Sequence, residues 1–123
     1  DADVLTHAVM DALLGAAAMG DIGQLFPDNN PAFSGISSME LLREVMACLR
    51  AEGYAVGNLD CTVLAQSPKL APYIAQMRRN LALCMDVGAD CISVKATTEE
   101  GLGFTGSGAG IAAHAVVLIE RIS

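Results

Sequence analysis

The chain has 123 residues, of which 53% are hydrophobic and 4% aromatic, and its formal charge at pH 7 is −7. This length fits a single domain, and the composition predicts an aliphatic core of a kind that often buries further surface in an oligomer. The negative charge argues against nucleic acid and anionic membranes as partners, because phosphate surfaces are bound by neutralising them with Lys or Arg. A membrane span needs roughly 18 uninterrupted apolar residues, and the apolar runs near Ala12 and Ile111 are interrupted sooner.

The distribution of charge indicates a cation near the amino terminus. No Lys or Arg precedes Arg43, whereas that part of the chain contains Asp1, Asp3, Asp11, Asp21 and Asp28. The chain also starts at Asp rather than Met and enters a helical pattern at once, so we expect further sequence upstream.

The four cysteines lie in apolar runs and form no C-x-x-C pair; they are Cys48, Cys61, Cys84 and Cys91. Buried free thiols are favoured over a disulfide framework. We therefore expect a reducing compartment, either a cytosol or an organelle.

The first predicted element is a helix over residues 3–19, where apolar residues recur at helical spacing and Gly20 follows. His7 and Asp11 are four residues apart and share one face of this helix. Two interpretations remain open: a solvated acidic face with a core histidine, or a metal ligand with a supporting carboxylate.

A long loop is predicted over residues 20–31, which are rich in Gly, Pro, Asp and Asn. It is either a functional loop or an ordinary connector. Ser37 and Glu40 then match a capping box and predict a helix that reaches Glu52 and ends at Gly53.

The second half of the chain predicts strand, helix, strand and strand. A strand at 59–65 precedes a helix that has Pro72 in its first turn, runs to about Val87 and ends at Gly88. A strand at 91–98 follows, and the β-branched content of 111–122 favours a third strand, although its length also permits a helix. His114 within it is more typical of a core or interface residue than of a ligand. The predicted fold is α/β (α+β), with helices packed on one face of a mixed β-sheet.

The stretch that follows the 91–98 strand has the chemistry of a phosphate and metal site. Thr97 and Thr98 offer hydroxyls, Glu99 and Glu100 can hold a hard cation, and the following glycines let backbone N–H groups approach an anion. Residues 101–106 also match G-x-G-x-x-G, but a dinucleotide-binding unit would need a crossover helix and a second parallel strand after it. The chain ends at Ser123, so this interpretation is disfavoured.

Eight short stretches of the chain occur together in one family: Asp3-Val4 with His7, residues 11–15, 20–23, 26–28 and 57–60, Ala65-Gln66 with Pro68-Lys69, and residues 95–98 and 102–106. Over its whole length the chain resembles the 2-C-methyl-D-erythritol 2,4-cyclodiphosphate synthases of the non-mevalonate isoprenoid pathway. The resemblance implies a homotrimer whose sheets face a central axis, with active sites between subunits. It also implies a lyase reaction in which CDP-methylerythritol 2-phosphate becomes the 2,4-cyclodiphosphate and CMP, with zinc and either magnesium or manganese as cofactors.

The resemblance assigns roles residue by residue. His7 matches a zinc ligand and Glu100 the residue near the second metal, while Thr98 and Lys69 match catalytic positions. The wall around the methylerythritol group is matched by Asp21, Ile22, Gly23, Phe26, Pro27, Asp28, Asn29, Asn30 and Phe104. The cytidine side is matched by Ala65, Gln66, Ser67, Pro68, Lys69, Leu70, Ala71, Ala96 and Thr97.

The chain departs from the family pattern in three places. The family's amino-terminal Asp-x-His, which supplies two more zinc ligands, is absent, and so is a His-Ser pair ahead of the position of Asp1. Ser107 and Ala109 stand where many members have Arg and Glu. We therefore expect residues 1–123 to be one synthase domain lacking its amino-terminal strands. A trimeric CMP- or CDP-binding module without catalysis is the alternative.

Overall fold

The computed structural model of the chain describes residues 2–26, 37–65, 71–97 and 111–122. Its helices are α1 (Ala2–Ala16), α2 (Ile22–Leu25), α3 (Ser38–Ala51) and α4 (Ile74–Met85), and its strands are β1 (Tyr54–Ala65), β2 (Ile92–Thr97) and β3 (Ile111–Arg121). Short 3-10 turns at Ala71–Tyr73 and Ala89–Cys91 precede α4 and β2. The predicted element order is confirmed, with α2 as an addition.

The three strands form one mixed sheet in the order β2-β1-β3. β1 is parallel to β2, from the Leu59–Ile92 pair to the Leu64–Thr97 pair, and antiparallel to β3 along its whole length. Parallel strands need a crossover connection, which α4 provides. The prediction of a strand over 111–122 is confirmed, and the helical alternative is wrong.

Helices α1, α3 and α4 bury their apolar residues against one face of the sheet. The side chains of α1 alone contribute Leu5, Val9, Met10, Leu13 and Leu14, each at most 1% exposed. On the sheet, every second residue of β1 and β2 packs against these helices, among them Cys61, Val63 and Val94. This packing confirms the predicted arrangement of helices on one face of a mixed sheet, and it leaves the other face open.

Some helix ends differ from the prediction. α1 ends at Ala16, before Gly20, because Ala18 takes the left-handed conformation (φ 57°) and the Met19 N–H donates to the Leu14 carbonyl at 2.8 Å. Gly88 was expected to end α4, and this is wrong: Asp86 takes the left-handed conformation instead (φ 57°). Asp is one of the few residues besides Gly that adopts this conformation readily. Gly53 ends α3 as predicted, with φ 88°.

The amino end of α3 has the predicted cap, since the Ser37 hydroxyl accepts the Glu40 N–H at 3.2 Å. The predicted loop over 20–31 instead contains the short helix α2. Asp21 caps this helix by accepting the Gln24 N–H at 2.9 Å, which satisfies one of the donors that a helix leaves free at its start.

All four cysteines are free thiols, as predicted, but only Cys61 and Cys84 are buried, whereas Cys48 and Cys91 are half-buried. The Cys61 thiol donates to the Ser93 carbonyl at 3.4 Å. Burial, with a smaller contribution from the Asp60 carboxylate, raises the pKa of Cys61 from 9.0 to about 11, although Lys95 acts in the opposite direction.

Arg78 connects α4 to the start of β2. Its Nε donates to the Ile92 carbonyl at 2.8 Å and its Nη2 to the Ala89 carbonyl at 2.6 Å, and the side chain is half-buried. The guanidinium therefore satisfies two carbonyls at the turn where the chain enters the sheet.

Within the part of the chain that the structure describes, no helix combines the length and apolar character needed to cross a lipid bilayer.

We predict that alkylation of the native protein at pH 8 modifies Cys48 and Cys91 well before Cys61. The thiolate is the reactive form, and a pKa of about 11 leaves only about one Cys61 in a thousand ionised at pH 8. Peptide mass spectrometry after iodoacetamide treatment measures the order, and labelling in urea, where all four thiols should react alike, is the control. Equal native rates at Cys48 and Cys61 would contradict the prediction.

We predict that Arg78→Met lowers the free energy of unfolding by about 2 kcal/mol, because it leaves two partly buried carbonyls without their charged donor. Arg79→Met is the matched control. That neighbouring arginine is exposed, and its bond within the described residues is to Gln76 Oε1 at 3.0 Å, so its loss should change stability by less than about 0.5 kcal/mol. Urea unfolding at one fixed protein concentration compares the two, and equal effects would refute the role given to Arg78.

Candidate functional site

The carboxyl ends of the two parallel strands lie at one edge of the sheet. Val63 pairs with Ala96 and Leu64 with Thr97, so that Ala65 and Thr97 end their strands side by side. The first residue of β3, Ile111, pairs with Ala65 at the same edge. Ligands of α/β proteins commonly bind beyond the carboxyl ends of such strands.

Three residues predicted to contact the nucleotide are brought together at this edge: Ala65, Ala96 and Thr97. Ala65 is buried, whereas Ala96 and Thr97 are exposed. β2 is an outer strand of the three-stranded sheet, so one row of its backbone groups is not used for pairing with β1. Ala71, also predicted on the nucleotide side, is exposed and opens the turn that leads into α4.

An ion pair lies on the open face of the sheet next to this edge. Lys95 Nζ is 2.9 Å from Asp60 Oδ1 and 3.0 Å from Oδ2, and both side chains are about half exposed, at 53% and 50%. Exposed pairs of this kind contribute roughly 0–1 kcal/mol to stability. This pair has no signature in the sequence, because only the strand register brings positions 35 apart in sequence together.

A second group of predicted residues lies on α1 and the segment after it. His7 and Asp11 are both exposed, so the interpretation of His7 as a core histidine is wrong. Asp11 Oδ1 accepts the backbone N–H of Ile22 at 3.0 Å. The face of α1 that carries His7 therefore adjoins the segment predicted to contact the methylerythritol group.

Within this segment the polar and apolar residues face different surroundings. Asp21 and Gly23 are exposed, whereas Ile22 and Phe26 are half-buried and pack against the core. The Phe26 N–H donates to the Ile22 carbonyl at 2.8 Å and closes the short helix. The core thus anchors one side of α2 and leaves Asp21 and Gly23 accessible.

The remaining predicted site residues lie outside the described residues. They are Pro27, Asp28, Asn29, Asn30, Gln66, Ser67, Pro68, Lys69, Leu70, Thr98, Glu100 and Phe104, together with Glu99, Ser107 and Ala109. The two described strands that precede residues 66–70 and 98–110 end at Ala65 and Thr97, on the same edge of the sheet.

The described residues do not complete a metal site. No group of three or more His, Cys, Asp or Glu among residues 2–26, 37–65, 71–97 and 111–122 is placed to hold an ion. A catalytic zinc takes three protein ligands. His7 offers one accessible imidazole on a regular helix, a residue type that can serve as one ligand of such a set.

A groove of about 510 Å³ lies on the helical side of the domain, lined by Arg43, Arg50, Leu83, Cys84 and Asp86. It contains none of the residues predicted to bind substrate, nucleotide or metal.

The profile of the YgbB family matches residues 1–120, and the chain belongs to this family. Its relatives there include proteins named 2-C-methyl-D-erythritol 2,4-cyclodiphosphate synthase. The one from Trichlorobacter lovleyi is 65% identical over 119 residues, covering 97% of this chain and 76% of the relative. The one from Desulforamulus reducens is 59% identical over 121 residues, covering 98% and 77%. The resemblance deduced from the short stretches is confirmed.

Solved structures agree with this relationship. The bifunctional IspDF from Campylobacter jejuni superposes with a TM-score of 0.92 at 42% identity; the match covers 98% of this chain but 32% of that protein. IspF from Plasmodium falciparum in complex with CDP superposes with a TM-score of 0.84 at 31% identity, covering 98% of this chain and 72% of that one. The chain thus spans about a third of the bifunctional protein and about three quarters of the single-function relatives.

Proposed function

We propose that the chain is a 2-C-methyl-D-erythritol 2,4-cyclodiphosphate synthase domain, which converts CDP-methylerythritol 2-phosphate to the cyclic diphosphate and CMP. The observation that carries this proposal is the 65% identity to a synthase of that name over 97% of the chain. The two groups of accessible residues, one at the sheet edge and one on α1 and α2, suit the two halves of this substrate.

The nucleotide half is proposed to bind at the Ala65–Thr97 edge. Exposed backbone N–H and C=O groups of Ala96 and Thr97 can pair with the edge of a cytosine, since strand edges present both donors and acceptors in a row. A homologous protein that was solved with CDP supports this assignment of ligand class. Ala71 is exposed at the start of the turn into α4 and is proposed to contact the nucleotide as well.

The methylerythritol half is proposed to lie against Asp21, Ile22 and Gly23. The Asp21 carboxylate is exposed, and although Oδ1 accepts the Gln24 N–H, a carboxylate has further acceptor sites for substrate hydroxyls. Gly23 has no side chain and allows close approach of a ligand to the backbone.

The reaction is an intramolecular phosphoryl transfer. An oxygen of the 2-phosphate forms a bond to the β-phosphorus, and the bond from that phosphorus to the bridging oxygen breaks, so that CMP leaves with the bridging oxygen. Such a reaction depends mainly on alignment and on neutralisation of charge. A chain with a net charge of −7 does not neutralise several phosphates by itself, so cations are needed.

The proposed cofactors are zinc, with His7 as one ligand, and magnesium or manganese near Glu100. When bound, these cations neutralise phosphate charge and polarise the phosphorus that is attacked. Thr98 and Lys69 are proposed to stabilise the charge that develops on the phosphate oxygens. The relatives compared above are largely bacterial, and four free thiols fit a reducing compartment, so a cytoplasmic location is our proposal.

A homotrimer with the open sheet faces at its axis is proposed from the apolar strip on β3. Val116 is 73% and Leu118 58% exposed on the face away from the helices. In a sheet that faces water on one side, these outward positions would be polar, and a contiguous apolar patch indicates an interface. Active sites between neighbouring subunits would then draw residues from two copies.

We predict that the full-length protein releases CMP from CDP-methylerythritol 2-phosphate when zinc and magnesium are present. Phosphorus NMR of the product follows formation of the cyclic diphosphate directly. His7→Ala should lose bound zinc and most turnover, because one of three protein ligands is removed. The matched control is His114→Ala, which changes the second of the chain's two histidines and should retain zinc.

If the chain is instead a CMP- or CDP-binding module without catalysis, a different result is expected from the same samples. It binds CDP in calorimetry without needing zinc and releases no CMP. Zinc-independent CDP binding without turnover would therefore favour the module over the enzyme, and absence of both turnover and CDP binding would refute both.

We predict that Val116→Lys converts the trimer to monomers, because three added charges would be buried close together at the axis. Analytical ultracentrifugation measures the mass. Leu83→Lys is the matched control, since Leu83 is 80% exposed on α4, on the helical side, and should leave the trimer intact. A wild-type protein that sediments as a monomer would contradict the proposed assembly.

A further inference from the structure

We propose that Asp11 is a positioning residue that fixes the substrate-facing side of α2 to α1, and that it acts through the hydrogen bond it accepts rather than through its charge. This inference rests on the proposed function of the Asp21–Gly23 segment, which it extends to a residue on a different helix.

The contact is a side chain to backbone hydrogen bond between two separate elements. Asp11 Oδ1 accepts the Ile22 N–H at 3.0 Å, across 11 positions of sequence. Ile22 is the first residue of α2, and the first N–H groups of a helix have no partner within the helix. The Asp21 carboxylate accepts the N–H of Gln24, and the Asp11 carboxylate accepts the N–H of Ile22. Two carboxylates, one from α1 and one from the residue before α2, therefore satisfy two of the N–H groups at the start of this helix.

The short helix depends on such contacts. A helix of four residues is far below the length at which helices form by themselves. Its apolar side is held because Ile22, Leu25 and Phe26 are half-buried against the core. Its polar side carries Asp21 and Gly23, and the bond from Asp11 ties the backbone between them to α1.

The position of Asp11 also relates this segment to the proposed zinc ligand. His7 lies one turn earlier on the same face of α1, and both side chains are exposed. Holding Ile22 against Asp11 therefore sets the distance between the imidazole and the wall proposed to contact methylerythritol. A displacement of about 1 Å in such a wall can reduce the rate about 100-fold.

The test compares Asp11→Ala with Asp11→Asn in the full-length protein. The asparagine side chain keeps an oxygen that can accept the Ile22 N–H, whereas alanine removes it. We expect Asp11→Ala to lower kcat/KM for the complete substrate about 10-fold or more while the affinity for CDP, which lacks the methylerythritol group, changes less than about twofold. Asp11→Asn should stay within about threefold of wild type in both measurements, as should the control Glu44→Ala, at an exposed position of α3.

A second readout does not depend on turnover. Amide hydrogen exchange at Ile22 should accelerate in Asp11→Ala and stay close to wild type in Asp11→Asn, because only alanine frees this N–H. A wild type without turnover would refute the proposed function, and the exchange at Ile22 would still decide whether Asp11 fixes the segment.

Three outcomes would overturn the inference. Wild-type kinetics and exchange in Asp11→Ala would show that the bond does not position the segment. Equal losses in Asp11→Ala and Asp11→Asn would show that the charge, and not the hydrogen bond, matters. Parallel losses of CDP affinity and thermal stability in Asp11→Ala would show a general structural role.

Discussion

The central strand β1 is the element on which the rest of the domain depends. It pairs in parallel with β2 and antiparallel with β3, and these two directions together decide where the ends of the strands lie. The parallel pair requires α4 as a crossover on one face, which is also the face where α1 and α3 pack. The carboxyl ends of β1 and β2 and the amino end of β3 consequently meet at one edge, which is where the nucleotide is proposed to bind.

The two faces of the sheet differ in what covers them. One face is closed by helices whose buried side chains are almost entirely aliphatic, so that α1 and the short helix α2 are held in fixed relation to β1. The other face keeps the Lys95–Asp60 pair and the apolar strip with Val116 and Leu118. The proposed homotrimer would cover this second face.

Most of the fold could be predicted from the sequence because it depends on local signals. Helical spacing, the Ser37 cap and Gly53 locate α3, and β-branched content favoured a strand for β3, although the length of that segment also permitted a helix. Predictions failed where the local structure depends on tertiary contacts, as for the short helix at Ile22, or on a rarer backbone conformation, as at the left-handed Asp86 that ends α4. At the site, the type and spacing of His7 left a metal ligand as one of two interpretations, whereas the bond from Asp11 to Ile22 and the Lys95–Asp60 pair have no signature in sequence. The hydroxyl of Thr97 suggested a phosphate site from residue type alone, whereas alanine carries little chemistry of its own and only the family resemblance indicated Ala65 and Ala96.

The register shift in β1 between Val56 and Asn58 affects which mutations this strand can accept. Val56 and Leu59 both face the helices although they are three positions apart, so the two parts of the strand are in opposite alternation and the extra residue at Gly57 restores a common face. A Cβ at Gly57 would lie 3.0 Å from Glu120 Oε1 and 3.3 Å from the Leu118 carbonyl, which leaves little room for a larger residue. Deletion of Gly57 would instead leave Val56 and Leu59 two positions apart, so that both would still face the helices and β1 could pair with β3 as a regular ladder without the bulge.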